Sequence, residues 1–370
     1  MKNMKNLDHV PINKLSVIKI AGAYVAWIMG SGFATGQEIL QFFTAYGYKS
    51  YILLAINLVG FLIIGSKILV AGNLNGENPD YNHFKFFCGR RLGTFYSWFL
   101  PLSMFAGMII LISGSGATLE EYYGLNHYVG ALLMASLALI AYFVGFNRFV
   151  KVVSFIGPTI IVFSLVVGMV TLMRDFDGLM NLGEESAAAA MSAKQPAPYW
   201  WLAGFLYISY NLSGGSKYYS ALGAAGGVSS REAFWGAIVG TLALMTSILL
   251  MNSAMLTDIG ITATLDVPTL YLARRIAWPL GAVFSIILIM GIFSSCSAML
   301  WTISETFVVQ GSRKSYIFAP IVCVLAFLLG LLPFSNLIGA VYTFLGYVGL
   351  IFAACVIKKK VRHGKANQIR

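Results

Sequence analysis

Ten stretches of this chain carry almost nothing but apolar side chains: residues 17–43, 48–72, 95–118, 127–147, 149–173, 199–222, 232–256, 277–306, 315–333 and 336–357. A helix needs about 20 such residues to cross the hydrocarbon of a bilayer. Inside that hydrocarbon no water satisfies backbone N–H and C=O groups, so only helices and closed barrels survive there. No long alternation of polar and apolar residues competes with the helical reading. The spacing therefore predicts an all-α, polytopic membrane protein with about ten spans. Only 11% of the residues are charged, against roughly 25% in soluble domains. The leading segment MKNMKNLDHVPINKLS lacks the apolar core and small-residue cleavage site of a removable signal. The first apolar run is thus expected to be a genuine span.

A net charge of +11 raises the question of nucleic acid. The positive residues lie between and after the apolar runs, not along one amphipathic face, which argues against it. With the N-terminus inside, 20 of the 25 lysines and arginines fall on cytoplasmic segments, and only Lys49, Arg174, Lys194, Arg274 and Arg275 fall outside. That bias is the usual sign of cytoplasmic loops. The expected placement is a cell membrane, crossed many times, with both termini cytoplasmic. The longest connection, 174–198, separates a first repeat (17–173) from a second (199–357), followed by a basic tail (358–370). Five spans per half is an odd number, so the second half enters the membrane in the opposite orientation, as in inverted-repeat transporters. The outer segment TLDVPTLYLARRIA offers Asp266 as a helix cap, Pro268 for the first turn and Arg274-Arg275 for the last. It is either a short helix lying over an entrance or a plain surface loop.

The first span contains AWIMGSGFATGQEILQFF. Gly30-Ser31-Gly32 and Gly36-Gln37-Glu38 stand where hydrocarbon should be. Unwinding a helix in lipid exposes polar groups at several kcal/mol each, so a break belongs where backbone lines a cavity or binds something. The first span of the second half repeats the pattern in YWWLAGFLYISYNLSGGSKYYSALG, with Asn211, Ser213, Gly214, Gly215 and Ser216 at its middle. Matched glycine interruptions in two halves point to a substrate site; close helix packing is the alternative. A third polar cluster occupies the eighth span, GIFSSCSAM. Gly291 and Ser294/Ser295 are three and four residues apart and share a helix face. With carbonyls released near Gly30 and Phe33 they form an all-oxygen shell suited to Na⁺; the alternative is that these serines bond back to their own helix. The four cysteines have no metal-ligand spacing and read as buried thiols.

GSGFATGQEILQFF, followed later by GSGATLEEYYG, resembles the YkvI-type bacterial membrane proteins, a branch of the amino acid–polyamine–organocation (APC) superfamily. The resemblance covers essentially the whole chain. It implies a five-plus-five, LeuT-like fold in which broken spans one and six cradle a small amino-acid-like solute. It implies a sodium site at the Gly30, Phe33 and Gly291 carbonyls with the Ser294 and Ser295 hydroxyls. Where many amino-acid-transporting relatives place a glycine-aromatic-glutamate after the sixth-span break, this chain has GGSKYY and so Lys217.

Ionisable groups inside spans usually mark a pathway. Glu38 is suited to a substrate amine, a coupling proton or a cation, or else only hydrates a vestibule. Lys217 either contacts a substrate carboxylate or cycles a proton, or snorkels to the headgroups. Lys67 and Glu305 read as interface anchors or gate pairs. Trp27, Phe33, Tyr207 and Tyr210 flank the breaks and can cover a substrate. The expected binding set is Gly30, Ser31, Gly32, Phe33, Gln37, Glu38, Tyr210, Asn211, Ser213, Gly214, Gly215 and Lys217. The expected function is secondary active symport of a small amino-acid-like solute with Na⁺ or H⁺ and no other cofactor. A receptor or sensor built on the same fold is the alternative. No phosphate-cradling Gly-Lys-Ser/Thr loop occurs, and no acid pair or His–Glu spacing sits at mid-depth, so enzyme chemistry is not expected.

Overall fold

Helices make up the regular structure of the described residues, as the apolar runs require. The computed structural model describes residues 12–29, 31–76, 78, 80–144, 156–180, 190, 193–309 and 312–361. The first span comes in three pieces, α1 (Lys14–Ile28), α2 (Ser31–Thr35) and α3 (Gln37–Phe42). Helices α4 (Lys49–Asn75), α5 (His83–Tyr123), α6 (His127–Val144) and α7 (Ile156–Arg174) complete the first half. The second half opens with another divided span, α8 (Trp200–Gly214) and α9 (Ser216–Gly223), followed by α10 (Ser230–Leu256). A short helix α11 (Pro268–Ile276) precedes α12 (Trp278–Phe307) and α13 (Ser315–Leu329). The last span joins α14 (Phe334–Leu337), a π-helical turn (Ile338–Tyr342) and α15 (Thr343–Lys358).

Six of these segments are long and apolar enough to cross a membrane, and two shorter apolar helices join them. Together with the two divided spans they make the ten expected. Local chemistry sets several of their ends. Asn13 caps α1 by accepting the Leu15 N–H at 3.0 Å, and Ser229 with Glu232 forms a capping box on α10. Gly89 (φ 74°) divides α5 into a short leading piece and the span proper.

The packing carries the internal symmetry. Helix α1 lies on α10, and the sixth span (α8, α9) lies on α4. Exchanging the two halves maps the first of these pairs onto the second. Helices α5 and α12, the third spans of their halves, pack against each other, as do α4 and α10.

One face of the bundle gathers the start of α1, the ends of α4 and α15 and the start of α10. There the Asn13 N–H donates to Glu232 Oε1 (2.9 Å). Lys67 Nζ donates to the carbonyls of Val356 (3.3 Å), Ile357 (2.7 Å) and Lys359 (3.3 Å). Lys67 is therefore the C-terminal cap of the last span, a role its position in the sequence did not disclose. On the opposite face Arg275 pairs with Asp175 (3.3 Å) and Asp258 (3.2 Å). The outer segment is a helix rather than a loop, with Pro268 in its first turn and both arginines in its last. Its cap is not Asp266. Val267 occupies that position without a side-chain cap, and its N–H donates to Glu121 Oε2 (2.8 Å) at the end of α5. A carboxylate held on a rigid helix end satisfies the donor that Asp266 leaves.

Candidate functional site

The first-span break is built by glycine. Helix α1 stops at Met29, α2 begins at Ser31, and Gly36 (φ 85°) separates α2 from α3. That left-handed conformation strains any residue with a Cβ. A Cβ at Gly36 would also meet the Thr269 side chain, Met255 Cε (2.5 Å) and Thr269 N (3.1 Å), so the break is moulded against α11. Piece α2 rests on α5, α12 and α11.

The sixth-span interruption is gentler. Gly215 (φ −80°, ψ −5°) stays in the right-handed region, and two hydrogen bonds carry the helix across it: Gly215 N–H to Asn211 O (3.0 Å) and Tyr219 N–H to Gly215 O (2.9 Å). Here glycine serves close approach. A Cβ at Gly215 would lie 2.5 Å from Trp27 Nε1. Of the two readings of matched glycines, the first span follows conformational freedom and the sixth follows packing.

Between the two interruptions lies a cavity of about 520 Å³. Its deep end holds Gly32, Glu38, Tyr210, Asn211 and Tyr342, and α5 and α12 wall it with Ser103, Met104, Gly107, Ser294, Ser295 and Met299. Exposed Lys217, Ala221 and Glu305 line its wide end, on the face that carries the start of α1. Trp27 and Tyr218 stack beside that mouth, ring centroids 5.2 Å apart at 19°.

Glu38 is 4% exposed. The Tyr210 hydroxyl donates to its Oε2, and the Tyr342 hydroxyl is a second hydrogen-bond partner. The two tyrosine rings stack at 4.6 Å and 8°. Glu38 Oε1 lies directly against the Gly32 Cα, in the space a side chain there would fill. The carboxyl of α3 thus folds back onto the break that precedes it. Tyr342 is the residue that sequence reasoning missed. It is the last residue of the π turn, and such turns recur at functional sites. Nothing local in NLIGAVYTF marks the turn, because its extra residue is accommodated by neighbours far away in sequence.

The expected binding residues divide as follows. Gly32, Glu38, Tyr210, Asn211, Gly214 and Lys217 line the cavity. Ser213 lines a small adjoining pocket and Gly215 backs Trp27. Phe33 is buried in the apolar core. Gln37 points the other way, its Nε2 donating to Leu265 O (3.3 Å). Gly30 lies outside the described residues, as does the side chain of Ser31. Of the expected sodium ligands, Ser294 and Ser295 line the cavity while Gly291 is buried in α12. Ser297 bonds back to Phe293 O (2.8 Å), as do Thr302 and Thr306 to their own helix. Ser294 and Ser295 form no such bond back to their own helix, and they line the cavity together with Ser103 and Thr302.

Among the groups outside the spans, His83 and Glu121 have protonation shifted into a range that bears on the fold. His83, in the short leading piece of α5, sits 3.2 Å from Ser216 Oγ. Burial, and then the charge of Lys217, pulls it down to about 3. Glu121, beneath α11, is pushed up to about 7, mainly by burial, against the opposing hydrogen bond from Val267.

No protein-family model matches the chain. It is 26% identical over 354 residues to the uncharacterized membrane protein YkvI of Bacillus subtilis (strain 168), which covers 94% of this chain and 97% of that protein. Among solved structures it is similar to the Eremococcus coleocola manganese transporter in complex with an aromatic bis-isothiourea substituted compound (TM-score 0.53, 14% identity, 92% of this chain and 78% of that one). It is also similar to the inward facing conformation of Mhp1 (TM-score 0.52, 15% identity, 92% and 75%). At these identities the likeness is one of fold: an all-α polytopic membrane protein built on the plan these transporters share.

Proposed function

We propose that this protein is a secondary active transporter of a small amino-acid-like solute, a YkvI-type member of the APC superfamily, working by alternating access around the first- and sixth-span interruptions. One observation carries the reading. A cavity of about 520 Å³ reaches from the first-span break to one face of the bundle, while α11 covers the other side of that break. A site open to one face and sealed from the other is what alternating access requires. The fold shared with a manganese transporter and Mhp1 supports a transport role. The excess of lysine and arginine supports a cell membrane with cytoplasmic termini, which puts the open end of the cavity on the cytoplasmic side. The coupling ion is Na⁺ or H⁺. Ser294 and Ser295 support Na⁺, since both line the cavity without a hydrogen bond back to their own helix.

Reconstitution tests this. Purified protein in liposomes, given an imposed Na⁺ or H⁺ gradient and a panel of amino acids and amines, is expected to accumulate at least one labelled solute. Absence of flux with either gradient across the panel overturns the transporter reading.

A further inference from the structure

The cavity holds opposite charges that pair with no opposite charge among the described residues. Among the described residues the ion pairs are His127–Glu120, Arg275–Asp175 and Arg275–Asp258; Glu38, Lys217 and Glu305 enter none of them. A buried carboxyl without a cation of the protein beside it is neutralised either by a proton or by a positive group that comes to it. The partners of Glu38 are the phenol hydroxyls of Tyr210 and Tyr342, which carry no charge. Its Oε1 already occupies the ground beside Gly32. An incoming solute carboxylate at the first-span break would therefore meet a carboxylate in place. An ammonium there meets a carboxylate, two phenol oxygens and the stacked tyrosine rings, which attract cations.

Lys217 lies on the wall of the same cavity. It lies exposed at the wide end while Glu38 is at the buried end, and its backbone stands about 10 Å along the helix axis from that of Tyr210, whose hydroxyl reaches Glu38. The ammonium and carboxylate of an α-amino acid are separated by a single carbon, too few to reach both ends. From this geometry we infer that the solute binds ammonium first at Glu38, with its carboxylate at Lys217, so that the preferred class is amino acids whose charges are several carbons apart. This rests on the transporter reading for its biological meaning but not for its test.

The test is calorimetric titration of the purified full-length protein in detergent with 5-aminopentanoate, pentylamine, norvaline and pentanoate. The expected order is 5-aminopentanoate, then pentylamine, then norvaline, with pentanoate weakest. The first should exceed norvaline by at least about tenfold, the worth of one charge-assisted contact. Glu38→Gln should remove binding of both ammonium probes. Lys217→Gln should lower 5-aminopentanoate to the level of pentylamine and leave pentylamine unchanged. Should Glu38→Gln fail to fold, Glu38→Asp keeps the charge, withdraws it by one methylene and should weaken both ammonium probes. Norvaline binding as tightly as 5-aminopentanoate overturns the inference. So does pentanoate matching pentylamine, unchanged binding in a folded Glu38→Gln protein, or no binding by either ammonium probe. Because titration needs no gradient, the expected order without flux in liposomes sinks the transporter reading alone. Flux of α-amino acids in preference to extended ones sinks this inference alone.

Discussion

Replacing Gly36 by alanine tests whether the first-span break is a moulded joint or an accident of sequence. Two penalties add at this position. The left-handed backbone (φ 85°) costs a residue with a Cβ about 1–2 kcal/mol. The new methyl would press on Met255 Cε and on the backbone N of Thr269, 2.5 and 3.1 Å away; overpacking of this kind costs about 1–3 kcal/mol. The expected loss is about 2–5 kcal/mol in all. Two glycines elsewhere in the chain separate the terms. Gly227 has φ 80° but open space around it, so Gly227→Ala should show the strain alone, about 1–2 kcal/mol. Gly226 has open space and no left-handed φ, so Gly226→Ala should change stability by less than about 0.5 kcal/mol. Unfolding of the three detergent-purified variants, followed by tryptophan fluorescence, should rank them Gly36→Ala, Gly227→Ala, Gly226→Ala from least to most stable. Hydrogen exchange should rise in α11 only for Gly36→Ala, since only that methyl pushes on Thr269. If Gly36→Ala matches Gly227→Ala and leaves α11 protected, the contact between the break and the outer helix has no energetic weight.

Three further outcomes follow from other parts of the fold. Glu232→Ala removes the capping box of α10 and the acceptor for Asn13 and Ser16; it should cost about 1–2 kcal/mol and raise hydrogen exchange selectively in the first turns of α1. Glu121 binds its proton more tightly in the folded protein than its ordinary value of 4.5 allows, up to about 7, so its contribution to stability is full below pH 4.5 and lost as pH rises through about 7. Unfolding temperature measured from pH 4.5 to 8 should therefore fall less steeply toward alkaline pH in Glu121→Gln than in the parent protein. Ser294→Ala with Ser295→Ala should abolish Na⁺ stimulation of solute binding while leaving the unfolding temperature nearly unchanged; persistent Na⁺ dependence refutes the cation assignment.

Much of the cavity lining that makes up the candidate site was legible before the structure. Glu38 and Lys217 stood out because ionisable groups rarely occupy spans, and both line the cavity. Ser294 and Ser295 stood out by their spacing from Gly291, and they face the cavity while Ser297 bonds back to its own helix. Gln37 was expected beside Glu38 and instead bonds outward to Leu265. Adjacent residues on a helix point about 100° apart, so one can face the cavity while the next faces away. Tyr342 was invisible because the π turn that aims it at Glu38 depends on contacts with spans one and six.

Alone, the order of residues determined that the chain is helical, that it crosses a bilayer about ten times, and that its halves run in opposite directions. Those outcomes follow from the length of apolar runs and the placement of charge, both local properties that lipid and water read directly. Tertiary structure decided that Glu38 turns back on Gly32 between two tyrosines, that Glu121 rather than Asp266 holds the start of α11, and that Gly215 makes room for Trp27. Each depends on which helix faces which, and that is set by packing among residues far apart along the chain.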